Sequence, residues 1–196
     1  MTAFRDRPRV HAETVEQWRR WLAEHADAGD GVWLVSWKAA TGRPRLSYDE
    51  AVTEALAHGW VDSRPAALDD ERSMLWFSPR KPGSAWSRPN KERVERLLAE
   101  GRMRPGGQAA VDAARASGTW SLLDEVEDGV VPGDLAAALA AHDGARANWD
   151  AFPRSVRRGI HEWIVQARRP ETRRARVEET AALAARGERA NQWPRR

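Results

Sequence analysis

The stretch Gly59–Glu95, GWVDSRPAALDDERSMLWFSPRKPGSAWSRPNKERVE, decides the fold of the first part of this chain. Two runs that contain aromatic residues, WVDSRPA and RSMLWFSPR, flank the acidic segment ALDDE. This pattern predicts a β-hairpin that carries the acid triplet Asp69–Glu71 at an exposed tip. After the hairpin, Ser87 caps a predicted helix that tolerates Pro89 in its first turn and runs to about Glu100.

Further elements are predicted on the N-terminal side of this stretch. Apolar residues at helical spacing predict an amphipathic helix over 13–28, and GVWLVSWKA (31–39) predicts a third strand. Ser47 and Glu50 have the spacing of a capping box, which opens a helix over about 48–58. We therefore expect an α+β fold with a small antiparallel sheet of about three strands, packed with helices and followed by an all-helical C-terminal region.

The C-terminal part of the chain is predicted to be helical throughout. The predicted helices that follow the one after the hairpin cover 108–117, 132–142, 145–151, 154–168 and 171–186. The turn-rich segment EDGVVPGD (127–134) is the plausible linker, so we predict an α+β domain over 1–128 and a helical domain over 129–196. An apolar stripe that includes Ile160 and Ile164 assigns the helix over 154–168 to packing.

The composition is that of an ordinary soluble globular protein, with 41% hydrophobic and 31% charged residues. No apolar run approaches the ~20 residues of a membrane span, and the N-terminus has no hydrophobic signal core. The chain contains no cysteine, which excludes disulfides, thiolate catalysis and cysteine-ligated metals. We expect a cytoplasmic protein with no membrane partner. The 11 tryptophans are the outlier, because a surplus of indoles indicates either core anchors or stacking surfaces.

The arginines are concentrated near the C-terminus, where residues 152–196 contain twelve arginines against five glutamates. This excess leaves open a nucleic-acid or protein interaction module that works through the Arg-rich C-terminal helices. However, these arginines alternate with glutamates at helical spacing, as they do on solvated helix faces. The stretch RRPETRRARVEE (168–179) also lacks the aromatic partners that stack on single-stranded bases, so the pattern argues against a nucleic-acid partner.

Strand alternation suggests that the hairpin carries one wall of a binding cleft. If Val61, Leu75 and Phe77 are buried against helices, the alternate side chains share the opposite face. Those side chains are Trp60, Asp62, Arg64, Trp76 and Arg80. Two indoles with a carboxylate and two guanidiniums are typical of a cleft wall, although arginines stacked on solvent-exposed tryptophans are the alternative.

The loop PRKPGSAWS (79–87) and the helix after it are predicted to bind the polar end of a ligand. Asn90 and Arg93 lie toward the buried side of that helix, near an N-terminus whose unsatisfied N–H groups favour anions. The other members of the predicted ligand site are Ser63, Arg80, Lys81, Ser84, Trp86 and Ser87. The alternative is that Ser87 only caps the helix and that Asn90 satisfies a loop carbonyl.

Known catalytic and cofactor motifs do not appear in the chain. The five histidines are too dispersed for a metal site, and we find no GxSxG, P-loop or GxGxxG, so we expect no metal and no cofactor. The catalytic residues stay unknown, with Asp62 as the candidate general base and Arg80 or Lys81 as electrostatic stabiliser. A structural salt bridge from Asp62 to Arg64 or Arg80 is the alternative.

Three blocks of the sequence resemble the YdeI/OmpD-associated family, whose members are often labelled bacteriocin-protection proteins. The blocks are SYDEAVTEALAHGWVDS (47–63), FSPRKPGSAWSRPNKERVERLLAEGRMRPGG (77–107) and ANWDAFPRSVRRGIHEWIVQARRPETRRARVEE (147–179), in the order of the family. The positions that match the shared motifs are Gly59, Trp60, Asp62, Ser63, Phe77, Pro79, Arg80, Ser84, Trp86, Ser87, Asn90, Arg93, Gly101 and Met103. The resemblance implies a small α/β part followed by a helical C-terminal domain.

The function expected from these observations is small-molecule binding with a protection or antibiotic-resistance role. The ligand would be a planar or anionic natural product held in the Trp/Arg cleft. The rival hypotheses are an enzyme that hydrolyses or modifies such a compound through Asp62, and the interaction module described above. The protection role is implied by the family resemblance alone.

Overall fold

A computed structural model describes residues 4–26 and 28–192 of the chain. The strands are β1 (Arg9–His11), β2 (Val32–Trp37), β3 (Trp60–Ala67) and β4 (Arg72–Pro79). The helices are α1 (Val15–Glu24), α2 (Tyr48–Ala57), α3 (Arg88–Ala99), α4 (Pro105–Ala116), α5 (Asp124–Asp128), α6 (Gly133–Ala141), α7 (Ala145–Ala151), α8 (Arg154–Val165) and α9 (Pro170–Ala185).

These elements form two compact units. The N-terminal unit comprises the described residues up to Ser84 together with Pro89–Thr119. The C-terminal unit comprises Ala85–Arg88 and the described residues from Trp120 onward. The division into domains at residues 128 and 129 stays a prediction.

The predicted α+β class is confirmed. The sheet has the order β1-β2-β4-β3, in which β2, β4 and β3 are antiparallel neighbours, as the sequence predicts. The strand that the sequence analysis missed is β1, which pairs with β2 in parallel. With three residues, β1 is too short to show an alternating pattern. The five-residue helix α5 also escaped prediction because it spans little more than one turn.

The predicted pairing of faces across the hairpin is wrong. Asp62 lies opposite Phe77 and Trp60 lies opposite Pro79, so Trp60 and Asp62 share the face of Phe77 rather than that of Trp76. Alternation shows which residues of one strand share a face, but the register decides which faces of two strands coincide. The side of the sheet that carries Phe77 is hereafter called the helix side.

A bulge between Asp62 and Pro65 changes the phase of β3. Past the bulge, Pro65 lies opposite Leu75, and the guanidinium carbon of Arg64 lies 5.1 Å from the centre of the Phe4 ring. Phe4 in turn packs on Trp76, with the ring centres 4.7 Å apart. Arg64 therefore belongs to the side of the sheet that carries Trp76, away from Asp62.

The helix side of the sheet is buried under α1 and α2. Trp18 packs on Phe77 with 5.2 Å between ring centres and donates a hydrogen bond of 3.0 Å from its indole N–H to the Ala51 carbonyl. Trp21 meets Trp60 edge to face at 5.7 Å. These contacts bury the apolar stripe of α1 and explain its place over the sheet.

The glycines of RPGG allow α4 to approach the end of α2. A Cβ on Gly107 would lie 2.3 Å from the Ala57 carbonyl oxygen, and one on Gly106 would lie 2.8 Å from that of His58. Gly59 has φ of +81°, and its Cβ would lie 2.6 Å from the Gly106 carbonyl oxygen. The glycines therefore permit backbone contact between α2 and α4.

The C-terminal unit has its own core. Its buried members are Leu135, Leu139, Ala145, Trp149, Phe152, Ile160, Ile164, Val177, Ala181, Ala184 and Ala190. Val156 and Trp163 pack against this core, which confirms the apolar stripe predicted for α8. Among the described helices, none combines the length and the hydropathy that crossing a membrane requires.

Candidate functional site

A cavity of about 840 Å³ opens in the N-terminal unit beside the hairpin. Leu34, Leu75, Leu46 and Ala51 give it an apolar lining. Leu75 is partly exposed although it faces the helix side, because neither α1 nor α2 covers it completely. The volume lies in the range of about 300–1,000 Å³ that is typical of small-molecule sites.

Tyr48 and Asp62 form the polar corner of this cavity. The Tyr48 hydroxyl donates a hydrogen bond of 2.9 Å to Asp62 Oδ2, and both residues line the cavity. Partial burial and the hydrogen bond to Asp62 raise the pKa of the Tyr48 hydroxyl. The phenol therefore stays protonated at neutral pH and acts as a hydrogen-bond donor.

The capping box of α2 fixes the position of Tyr48. The Ser47 hydroxyl accepts a hydrogen bond of 3.2 Å from the Glu50 backbone N–H, and Glu50 Oε2 accepts one of 2.8 Å from the Ser47 N–H. Because Tyr48 is the first helical residue after Ser47, its ring projects beside β3 with 57% of its surface exposed. The capping box, predicted from sequence, is confirmed.

Arg93 lies on the other side of the Tyr48 ring. Its guanidinium carbon is 5.9 Å from the ring centre, its Nη1 donates to Asn90 Oδ1 at 3.0 Å, and its Nε donates to Asp49 Oδ1 at 2.9 Å. Of the predicted site residues, Asp62 and Arg93 thus lie at Tyr48, a tyrosine that the prediction omitted, and Asn90 binds Arg93.

Arg80 is a partly buried cation near Asp62. Burial lowers the pKa of Arg80 to about 10, while the negative charge of Asp62 acts in the opposite direction. The guanidinium therefore stays charged at neutral pH and adds positive potential on the side of Asp62.

Arg45 is a fixed cation at the cavity. Its neighbour Arg43 stacks on the Trp37 ring at 4.2 Å and pairs with Glu71 at 3.4 Å. Lys38, which also lines the cavity, donates hydrogen bonds of 2.8 and 3.0 Å to the carbonyls of the hairpin tip. Within the described part of the chain, the Arg45 side chain has neither a hydrogen bond nor an ion pair. Its charge is thus available to a ligand.

The predicted shared cleft of exposed indoles is wrong, because its three tryptophans are buried in different places. Trp60 is 1% exposed and lies against Trp21, and Trp76 is 7% exposed and packs with Trp33. Trp86 is 1% exposed and contacts Trp120 in the C-terminal unit. Their physical role is core packing, which removes the large apolar area of each indole from water.

The other predicted residues are dispersed. Ser63 lines the cavity, and Arg64 stacks on Phe4 on the opposite side of the sheet. Lys81 is exposed, and its carbonyl accepts a hydrogen bond of 3.1 Å from the backbone N–H of Ser84. Ser87 belongs to the C-terminal unit and directly precedes α3.

Sequence reasoning missed Tyr48 and Arg45 as site residues. Arg45 ends the turn-type segment TGRPR (41–45), where this fixed cation precedes the capping box by two residues. Tyr48 is the only tyrosine in the chain, and its place at the first position of a helix leaves its ring uncovered. Both signals were present in the sequence.

Metal chemistry finds no support among the side chains that the structure describes. No group of three or more His, Cys, Asp or Glu residues there is arranged to hold a metal ion.

Two family models match the chain. Residues 10–110 match DUF8412, described as a domain of unknown function. The chain belongs to the DUF8412 family. Residues 128–187 match the model described as Bacteriocin-protection, YdeI or OmpD-Associated, so the resemblance noted in the sequence is confirmed. Comparison with the curated proteins and with the solved structures finds no significant match.

The two matches divide the blocks that carried the resemblance. The blocks at 47–63 and 77–107 lie within the DUF8412 match, whereas the block at 147–179 lies within the YdeI/OmpD-associated match. The cavity beside Tyr48 is therefore a feature of the DUF8412 region.

Proposed function

We propose that this DUF8412 protein binds a planar or anionic small molecule in the cavity beside Tyr48. The observation that carries the proposal is an apolar cavity of ligand size lined by Arg45, a cation whose side chain has no partner among the described residues. Apolar sites with a few fixed polar groups are the usual form of small-molecule sites in proteins. This cavity replaces the predicted Trp/Arg cleft as the place for the ligand.

The lining supports a two-part ligand. The planar body would lie on Leu34 and Leu75, and the anionic end would meet Arg45. Tyr48 and Asp62 lie at the same cavity and would orient a ligand hydroxyl or amine, because the phenol can donate and the carboxylate can accept.

The biological role we propose is protection by sequestration in the cytoplasm. Its support is the family model that matches residues 128–187, which is described as bacteriocin protection. The cytoplasmic location rests on the sequence composition alone.

The binding proposal is tested with anilinonaphthalene sulfonate, a planar anion whose fluorescence rises in apolar sites. We expect saturable binding that is about tenfold weaker in Arg45→Gln, since a charge-assisted hydrogen bond contributes about 1.5–3 kcal/mol. Arg20→Gln is the matched control, because Arg20 is an exposed arginine of α1 outside the cavity lining. Equal dissociation constants in all three proteins would contradict the proposal.

Competition identifies the part of the dye that the cavity recognises. Naphthalene sulfonate should displace it, whereas methanesulfonate at the same concentration should leave it bound, because methanesulfonate lacks an apolar body. Displacement by both anions would show that the dye is held by charge alone.

A second candidate function is an enzyme, favoured by the place of Asp62 on the cavity wall within 2.9 Å of the Tyr48 hydroxyl. In this hypothesis Asp62 would act as general base, with Arg80, whose charge acts on Asp62, stabilising negative charge. Incubation with naphthyl acetate and naphthyl phosphate, followed by mass spectrometry, separates the two functions. Release of naphthol by the wild type but not by Asp62→Asn would establish turnover. Unchanged masses of both compounds would mean that the protein binds small molecules without converting them.

The interaction-module hypothesis has less structural support. Arg158 pairs with Glu127, and Arg173 pairs with Asp134. These two arginines of the C-terminal helices therefore already have partners within the protein. A binding constant for single-stranded DNA that falls steeply with salt would revive that hypothesis.

A further inference from the structure

A second cavity, of about 250 Å³, lies within the C-terminal unit. One wall is α8, which contributes Arg154, Arg157, Arg158 and His161. Their spacing of three, four and seven residues places them on one face of the helix. The remaining lining comes from the end of α5, the segment that follows it and Trp149 of α7.

Three residues that line this cavity each have a buried nitrogen atom with no hydrogen-bond partner among the described residues. These atoms are Trp149 Nε1, Arg157 Nε and His161 Nε2. Trp149 is 2% exposed and His161 is 4% exposed. Buried polar groups in native proteins almost always have partners, because an unsatisfied group loses its hydration without compensation. Three such atoms in one cavity indicate a hydrogen-bond acceptor that binds between them.

The charges around the cavity favour an anion. Glu127 accepts a hydrogen bond of 2.9 Å from Arg158 Nη2, and Asp128 accepts one of 2.6 Å from Arg88. Each acid is thus paired with an arginine, and Arg158 is shared with Glu162 at 3.2 Å. Among the described residues, the Arg154 side chain donates only to a neutral backbone carbonyl, that of Glu127, at 3.3 Å. The Arg157 side chain has no hydrogen-bond or ion-pair partner within the described ranges.

We propose that this cavity binds the anionic group of a small ligand, a carboxylate or a phosphate. Its oxygen atoms would accept hydrogen bonds from the indole N–H of Trp149, the Nε–H of Arg157 and the protonated Nε2 of His161. The cavity is smaller than the roughly 300–1,000 Å³ of sites for drug-sized ligands, so the body attached to that group is short. The site is separate from the cavity beside Tyr48, and it does not depend on the function proposed above.

Bound water is the competing explanation for the three unpartnered atoms. A cavity of about 250 Å³ has room for several waters, each occupying about 30 Å³ in the liquid. Water would satisfy the three nitrogen atoms, but it would leave the charge of Arg157 without a counter-ion. A selective response to anions therefore separates the two explanations.

The test follows the Trp149 indole N–H resonance by NMR, assigned with Trp149→Phe. Sodium phosphate and sodium acetate are titrated separately, with sodium chloride at matched ionic strength as reference. We expect a saturable shift with at least one oxyanion, with a dissociation constant of about 1 mM or tighter. A phosphate-only or acetate-only response assigns the class of the anionic group. The same small shift with phosphate, acetate and chloride, or none at all, would overturn the proposal in favour of water.

Two matched variants locate the binding site. Arg157→Gln should weaken the binding at least about tenfold, because it removes a charged donor. Arg174→Gln removes an exposed arginine of α9 that does not line the cavity. The affinity of this variant for the oxyanion should equal that of the wild type. Equal affinities in the two variants would contradict the assignment.

Thermal stability gives a readout that is independent of the NMR signal. A ligand that binds the folded state raises Tm with its concentration. The rise with the oxyanion over chloride should appear in the wild type, in Arg174→Gln and in Arg45→Gln, and should disappear in Arg157→Gln. Loss of the rise in Arg45→Gln instead would assign the anion to the cavity beside Tyr48.

Discussion

Glu54 is a buried carboxylate held by two arginines. It is 3% exposed and accepts hydrogen bonds of 2.9 Å from both Nε and Nη2 of Arg19, and a further one from Arg102. Burial by itself would raise the pKa of Glu54, but the hydrogen bonds and charges of the two arginines outweigh it and lower the pKa. Glu54 therefore ties α1, α2 and the segment after α3 together as an ionised group.

Replacing Glu54 by glutamine should reduce the free energy of unfolding by about 1–3 kcal/mol, because two charge-assisted contacts are lost. The cost stays below the roughly 3–5 kcal/mol of a fully buried pair, since the side chains of Arg19 and Arg102 are 38% and 40% exposed and can regain water. Urea unfolding at neutral pH measures it. Glu100→Gln is the control, because Glu100 pairs with the same Arg102 at an exposed position. An equally large loss of unfolding free energy in Glu100→Gln would contradict this role of Glu54.

The pH dependence of this contribution has a definite sign. Because the folded pKa of Glu54 is lowered from its ordinary value of 4.5, its stabilisation is present above pH 4.5. It is lost as the pH falls through the folded pKa. The difference between wild type and Glu54→Gln should therefore shrink in acid.

Single residues also show what the sequence could reveal about the site. Asp62, Asn90 and Arg93 were predicted from strand and helix periodicity. Asp62 and Arg93 lie at Tyr48, and Asn90 binds Arg93. The three indoles of the predicted cleft were misplaced, since aromatic side chains at alternate strand positions suit a core as well as a cleft. Composition alone does not separate these two environments.

At the scale of elements, Gly59 joins α2 to β3 and lies against α4. Its φ of +81° and the 2.6 Å approach to the Gly106 carbonyl leave no room for a side chain. Gly59→Ala should lower the free energy of unfolding by about 2 kcal/mol or more, because the left-handed conformation costs a non-glycine residue about 1–2 kcal/mol before any clash.

Gly29→Ala is the matched control for that substitution. A Cβ at Gly29 meets no atom within 4 Å. Its effect should stay within about 0.5 kcal/mol. Thermal or urea unfolding compares the two, and equal effects would show that the approach of α4 to Gly59 is unimportant.

Sequence signals between nearby residues predicted individual helices and strands well. They did not predict how distant residues pair across the sheet. The capping box of α2 and the hairpin depend on residues a few positions apart, so both were predicted correctly. The register of β3 against β4 depends on a bulge at Asp62–Pro65 that alternation cannot reveal. A shift of one residue was enough to transfer Asp62 from the predicted Trp76 face to the helix side.

At the scale of the whole molecule, the stretch from Gly59 to Glu95 contributes to both units. Ala85–Arg88 belong to the C-terminal unit, and residues before and after them belong to the N-terminal unit. The sequence analysis predicted that Trp86 lines a cleft with the hairpin. In the structure Trp86 is buried beside Trp120 and does not line that cleft. A short segment that belongs to the other unit leaves no periodic pattern in the sequence, so its assignment could not be predicted.

The most direct test of the central claim is a crystal structure of the protein with anilinonaphthalene sulfonate. The account predicts that the naphthalene ring lies on Leu34 and Leu75 beside Tyr48, with the sulfonate within hydrogen-bond distance of Arg45. Density for the dye at another surface, with the cavity beside Tyr48 filled only by water, would contradict it.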